Sequence, residues 1–457
     1  MIEDFPSEVV ELVLQSSCQN ALVNLAATNS RFNRLVKPHL FKSIEVNSQK
    51  RILSEKPEAV RFHAVQVTSI YNLKVLMKNL VSNETNCHLI QKLIFKQLPD
   101  LPEDFLINYF FHIFPRLVNL AEFKWYSTYN LDLTIVNLLP NIKLSKLNGN
   151  FKNFNNFNYD FRNLESLSLS GFKDFSNVSI NLSTFINLKF LKISKKNLIL
   201  YEDNLDNLFT NTSCLDLFAL CLENLFLTKR DIELLVDKIS FSGLKTLKLI
   251  NCYELLNGQN SLLTSINESG ASLQYLELDI WNNELNNEQV YKFLTSHRQL
   301  ASVKINLNIS ENLIKQLTTL ISQLNPVCLK HLEITFTIRS HNKINFLNHT
   351  DQKEILELLN SFKNLSTLKF PIFSANLGDL TFDLPCLDAL QLNLIDYFKF
   401  KNCLIDLDIT QLSVTGFNSL MKTLNCPKLQ YIIIKLFEFH IYDVNTKVVS
   451  SLPKLVE

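Results

Sequence analysis

Apolar residues return along this chain in one frame, L-x-x-L-x-L, and Leu244-Lys-Thr-Leu-Lys-Leu-Ile-Asn-Cys252 is its clearest copy. The frame recurs from Leu164, Leu188, Leu222, Leu273, Leu300, Leu329, Leu365, Leu387, Leu404 and Leu429. Successive copies step by roughly 17 to 36 residues. The fourth and sixth positions alternate, so a short strand carries both on one face. One such strand cannot bury that face alone, and copies must stack into a parallel sheet. A ninth-position Asn or Cys, as at Asn308 and Cys252, can bond backbone groups where the chain leaves the strand. The spacers read as helices. Leu313, Leu317, Leu320, Ile321 and Leu324 form one stripe, as do Ile355, Leu358, Leu359 and Phe362.

Upstream the pattern weakens. Phe41-x-x-Ile44-x-Val46, Ile90-x-x-Leu93-x-Phe95 and Leu120-x-x-Phe123-x-Trp125 keep the frame, and Leu144-x-x-Leu147 is a faint copy. The Asn- and Phe-rich stretch from Gly149 to Arg162 reads as a loop or strained turn. The short tail Ser451–Glu457 reads as a cap on the last coil.

Residues 1–45 differ from the rest and form a first domain, with 46–457 as the second. Ser7 is placed to cap a helix through Val9, Val10, Leu12, Val13 and Leu14. Leu22, Leu25 and Ala26 mark a second helix. Ser30 is placed to cap a third, with Phe32, Leu35 and Val36 apolar and Pro38 helping to stop it. Three short helices are too little core to stand alone, so a partner or the following domain must cover them.

Composition narrows the classes. The 457 residues are 46% hydrophobic and 19% charged, enough for a large core. The formal net charge of +1 gives no support for a nucleic-acid or membrane-surface partner. No signal peptide and no membrane-length apolar run is apparent. The 9 Cys are scattered without C-x-x-C, which reads as free, buried thiols in a reducing compartment, cytoplasmic or nuclear. Phosphate-loop, dinucleotide and H-E-x-x-H motifs are absent. No catalytic residue, cofactor or metal ligand is expected.

The repeated frame resembles the leucine-rich-repeat family over most of the chain. That resemblance implies an irregular α/β solenoid with a parallel concave sheet and outer helices. The N-terminal helices resemble the F-box, on Phe5-Pro6, Val13-Leu14, Leu22-Val-Asn-Leu-Ala26, Asn29-Ser-Arg-Phe32 and Pro38-His-Leu-Phe41. The family usually opens Leu-Pro, and this chain keeps the bulk and the proline. This second resemblance implies a non-catalytic substrate adaptor of a Skp–cullin–F-box ubiquitin ligase. The residues contacting the Skp-type adaptor would be Phe5, Pro6, Val9, Val10, Val13, Leu14, Leu22, Leu25, Ala26, Phe32 and Leu35. Two alternatives are a Skp-containing structural complex without ubiquitin transfer and a plain repeat scaffold capped by the helices.

The frame also predicts what faces away from the core. Fifth positions from the Leu188 copy on are Lys192, Phe226, Lys248, Glu277, Lys304, Glu333, Lys369, Gln391, Asp408 and Ile433. Five of them, Lys248 to Lys369, should form a ladder of alternating charge across strands about 4.8 Å apart. Candidate contacts for a substrate protein on this face are Tyr275, Asp279, His331, Asp406, Asp408, Tyr431 and Lys435.

Overall fold

The computed structural model describes residues 6–17, 19–48, 65–98, 103–127, 129–140, 142–153, 162–172, 182, 185–196, 205–209, 214–254, 261–280, 286–308, 313–337, 349–372, 380–394, 420–434 and 437–440. The chain divides into two compact units. The first comprises Met1–Leu217 with Glu233–Ile239, and the second Phe218–Ile232 with Ser240–Glu457.

The first unit opens with α1 (Ser7–Ser16), α2 (Gln19–Thr28) and α3 (Ser30–Lys42), and α3 runs directly into β1 (Ser43–Val46). Then come β2 (Val65–Val67), α4 (Ile70–Ser82), α5 (Glu84–Leu89), β3 (Lys92–Phe95), α6 (Glu103–Ile113) and β4 (Glu122–Trp125). The unit continues with β5 (Leu131–Asp132), α7 (Leu133–Val136), β6 (Lys146–Lys152), β7 (Ser166–Phe172), β8 (Phe190–Lys195), α8 (Asp206–Phe209) and β9 (Leu215–Asp216). Its strands pair in parallel in the order β2-β1-β3-β4-β6-β7-β8.

The second unit begins with β10 (Ala219–Glu223) and β11 (Phe226–Leu227), and α9 (Lys229–Lys238) and β12 (Ile239–Ser240) carry residues of both units. It continues with β13 (Thr246–Ile250), β14 (Tyr253–Glu254), α10 (Leu262–Glu268), β15 (Tyr275–Ile280), α11 (Asn286–Ser296), β16 (Ser302–Asn308) and α12 (Leu313–Gln323). The remaining elements are β17 (His331–Thr337), α13 (His349–Leu359), β18 (Thr367–Ile372), β19 (Ala389–Leu394), β20 (Tyr431–Ile434) and β21 (Phe437–His440). Here β10, β13 and β15 to β20 pair in parallel, and β21 pairs antiparallel with β20. The protein is therefore α/β, built on parallel ladders with helices in the spacers, and no closed barrel forms among the described residues.

One hydrogen-bond device sets the register. At the start of a strand, two successive N–H groups donate to a single carbonyl of the preceding turn. Gln274 and Tyr275 share the Lys245 oxygen at 2.8 and 3.0 Å. Ala301 and Ser302 share that of Gln274, and Ser145 and Lys146 share that of Ala121. Asparagines add a second tie. Asn119, Asn163, Asn187 and Asn364 each precede the first Leu of a copy, and their side chains donate to carbonyls of the previous turn at 2.7–2.9 Å. Cys252 makes the expected ninth-position bond, its Sγ 3.3 Å from the Leu222 oxygen.

Several expectations are corrected. The Leu222 copy is misframed by five residues. The strand in the ladder is β10, with Leu220 opposite Leu247, so Leu217-x-x-Leu220-x-Leu222 is the true copy. Cys221 takes the column position beside Lys248, and Phe226 is buried in β11, which pairs with β14. The Leu404 copy lies outside the described residues, as does the expected cap at 451–457, and β19 pairs directly with β20. Gly149–Lys152 continue β6 instead of forming a loop. Gly149 sits at a core position because a Cβ there would meet the Trp125 oxygen at 2.5 Å.

Among the spacers, Leu317, Leu320, Ile321 and Leu324 are buried as expected. In α13 it is Leu356 that is buried with Ile355 and Leu359, while Leu358 is only half-buried. The thiols are free among the described cysteines, but only Cys87 and Cys426 are buried and Cys214 is exposed. Burial pushes the Cys87 thiol up to about 11. No helix among the described residues is long and apolar enough to cross a membrane.

Candidate functional site

The N-terminal helices are held by a small core of Val10, Leu14, Leu22, Phe32 and Val36, with Leu25, Ala26, Leu35 and Leu40 packed against it. Their ends differ from the sequence expectation. Ser7 is the first helical residue of α1. Pro6 stands at the N-cap without a side-chain bond, and its carbonyl accepts from Val9 and Val10 at 3.1 Å. Asn29, not Ser30, caps α3, its Oδ1 accepting from the Phe32 N–H at 2.8 Å. Asn reaches that donor as readily as Ser. Nor does Pro38 stop α3, which runs to Lys42 because Val36 and Leu40 on either side pack onto the same core. His39 Nε2 lies 3.0 Å from Glu11 Oε1 and ties α3 to α1. The bond from His39 outweighs burial and holds the Glu11 carboxyl below its usual value.

The adaptor-contact candidates therefore fall into two groups. Val10, Leu14, Leu22 and Phe32 pack inside the helices, with Leu25, Ala26 and Leu35 half-buried beside them. Pro6, Val9 and Val13 face solvent, Val9 at 41% and Val13 at 47% exposure. Leu12, 66% exposed, lies beside them and was not singled out, although its i+3 spacing from Val9 signals the shared stripe. Phe5 lies outside the described residues.

On the polar face of the second unit, register places Lys248, Glu277, Lys304, Glu333 and Lys369 side by side on five strands. The expected ladder forms. Glu277 meets Lys248 at 2.9 Å and Lys304 at 2.8 Å, and Glu333 meets Lys304 at 3.8 Å and Lys369 at 2.7 Å. Burial pushes the Glu277 carboxyl up, but the bonds and charges of Lys304 and Lys248 prevail and hold it below the usual range. Burial likewise pulls the Lys248 and Lys304 ammonium groups down, and Glu277, joined at Lys304 by the charge of Glu333, more than restores them.

A second polar row runs beside this column. Asn251 takes φ 53° and donates its N–H to Asp279 Oδ2 at 2.8 Å, while Thr335 Oγ1 donates to Asn306 Oδ1 at 3.2 Å. Burial raises Asp279, partly offset by the Asn251 N–H.

Of the substrate-contact candidates, Tyr275 and Asp279 thus lie together on β15. The Lys248 ammonium sits over the Tyr275 ring at 4.7 Å, and the Tyr275 hydroxyl donates to Glu277 at 3.3 Å. Exposed His331 lies two strands away on β17, its Nδ1 3.4 Å from Ser366 Oγ. Tyr431 is in β20 with its side chain outside the described set, and Asp406, Asp408 and Lys435 lie outside the described residues.

The polar face of the first unit holds none of the candidate contacts, though the same position rule reaches it. Register aligns Lys92, Glu122 and Lys146 across β3, β4 and β6, with Lys124 two residues beyond Glu122. Glu122 is only 6% exposed. Lys92 approaches it at 3.4 Å and Lys124 more closely. Burial pushes the Glu122 carboxyl up, and the bond from Lys124 with the charges of Lys124, Lys92 and Lys146 holds it low. No cluster of His, Cys, Asp and Glu suited to a metal ion occurs among the described residues. Neither the protein-family models nor the curated proteins gave a match to this chain.

Proposed function

We propose that residues 1–45 are an F-box that docks a Skp-type adaptor, and that the leucine-rich repeats hold a substrate protein for a cullin–RING ubiquitin ligase. The chain acts without chemistry of its own. It raises the local concentration of substrate near the transferring enzyme. The observation that carries this reading is the stripe Pro6, Val9, Leu12 and Val13, exposed together on α1 while Val10, Leu14, Leu22, Phe32 and Val36 pack inside, with Val23 on α2 also open to water at 48% exposure. An apolar stripe kept in water is the mark of an interaction site. The direct passage of α3 into β1 supports the reading, because such a junction transmits a fixed orientation to the first repeats.

The test is binding of the whole chain to a Skp-type adaptor beside a Pro6→Ala, Val13→Asp double variant. Both side chains face solvent, so the variant should keep its circular dichroism and lose binding by at least tenfold. A well-folded wild-type chain that ignores the adaptor removes the ligase reading.

A further inference from the structure

The two polar faces carry different charge. In the second unit the fifth-position column alternates Lys and Glu, so each carboxylate sits between two ammonium groups. In the first unit three lysines, Lys92, Lys124 and Lys146, surround the Glu122 carboxylate, and the neighbouring Glu45–Lys96 pair, 2.9 Å apart, adds no net charge. Glu122 lies beneath them, while Lys92 and Lys146 are exposed. What a partner meets there is ammonium groups, two in excess of the local carboxylate.

We propose that this surface of β3, β4 and β6 binds an acidic peptide segment of a partner protein. Lys92 and Lys146 stand two strand spacings apart, about 10 Å. An extended chain advances about 3.3 Å per residue and turns alternate side chains to one face, so same-face carboxylates two or four residues apart, about 7 and 13 Å, bracket that gap within the reach of the lysine stems. A nucleic-acid strand fits less well, because Glu122 lies under the middle of the row and the chain as a whole carries only +1. The surface takes its ligand whether or not the N-terminal helices dock an adaptor, and its test uses no adaptor.

The test is fluorescence anisotropy of the full chain with a labelled glutamate-rich peptide and its glutamine counterpart, at low salt and at about 0.15 M, where screening sets in within about 8 Å. The glutamate peptide should bind, more weakly with salt, and the glutamine peptide should not. Lys92→Glu with Lys146→Glu should weaken binding at least tenfold, and Lys353→Glu on α13 of the second unit should leave it unchanged. Should the reversal unfold the chain, Lys92→Gln with Lys146→Gln decides, with an expected loss of severalfold. The proposal is overturned if the glutamate peptide does not bind at low salt. It is equally overturned if the lysine variants bind as the wild type does, if Lys353→Glu weakens binding as much, or if a single-stranded oligonucleotide competes it away.

Discussion

The two units use the same backbone frame and fill it differently. In the first, the core side of the sheet turns aromatic at β3 and β4, although Leu167, Leu169, Leu191 and Ile193 keep it aliphatic in β7 and β8. Phe95, Phe110, Phe114, Phe123 and Trp125 pack ring to ring at 4.4–6.3 Å, and Gly149 gives Trp125 its room. In the second, the same positions are almost uniformly Leu and Ile, as in Leu276, Leu278, Val303, Ile305, Leu332 and Ile334. The polar faces differ in parallel, lysine-rich in one and paired Lys to Glu in the other. A stacked sheet therefore asks only for a buried apolar side and bonded strand starts. Which apolar group, and which charge opposite it, is left to each region.

The largest effect should come from removing the aromatic region's special provision. Gly149→Ala forces a Cβ against the Trp125 backbone and should destabilise the first unit by about 1–3 kcal/mol. Urea unfolding followed by Trp125 fluorescence, with Trp281 replaced by Phe, reports this. A midpoint equal to the parent's would mean that the close approach is not a constraint.

A smaller effect should distinguish the paired face. Lys304→Glu puts three acids in a row between Lys248 and Lys369 and should cost about 1–2 kcal/mol at low salt. Lys304 is half-open to water, so the cost should shrink at about 1 M salt, where the screening length is about 3 Å. Amide exchange in β15 to β17 measures it, and a salt-independent change would point to lost packing instead.

The smallest effect concerns His297, buried after α11 against Phe293, with neither ring nitrogen fully hydrogen-bonded. Burial lowers its pKa below 6.5, and the Ala271 backbone offsets only part of this. The unfolded chain then takes up the proton more readily than the folded one. Stability is fully present above about pH 6.5 and is lost as pH falls toward the folded value. His297→Leu should flatten the change in urea midpoint between about pH 7 and pH 5.5 relative to wild type. An unchanged slope would exclude His297 as its source.

The contrast also explains what could be read from the chain. The frame was plain where Leu and Ile fill it, and the charge column from Lys248 to Lys369 followed by counting positions. It faded where Phe, Trp and Gly take the same places, which is why Gly149 passed for a loop residue. Leu222 misled because Leu217, Leu220, Leu222, Leu225 and Leu227 fit the frame in two registers, and only backbone pairing selects one. Short β2 lacks a repeat signal and pairs beside β1 all the same. The exposed stripe on α1 was half legible. Periodicity finds apolar positions, but it does not say which of them face the three-helix core.

The shared carbonyl at the start of most ladder strands, from β4 to β19, separates the length of a repeat from its alignment. Neighbouring strands are indexed by one acceptor, so the chain between them is free to lengthen or shorten. The Lys330 carbonyl serves Ser366 and Thr367 across a long spacer as the Ser366 carbonyl serves Asp388 and Ala389 across a short one. Length changes between such strands fall in the spacers, and the register of the ladder is kept by the acceptor and not by the count of residues between.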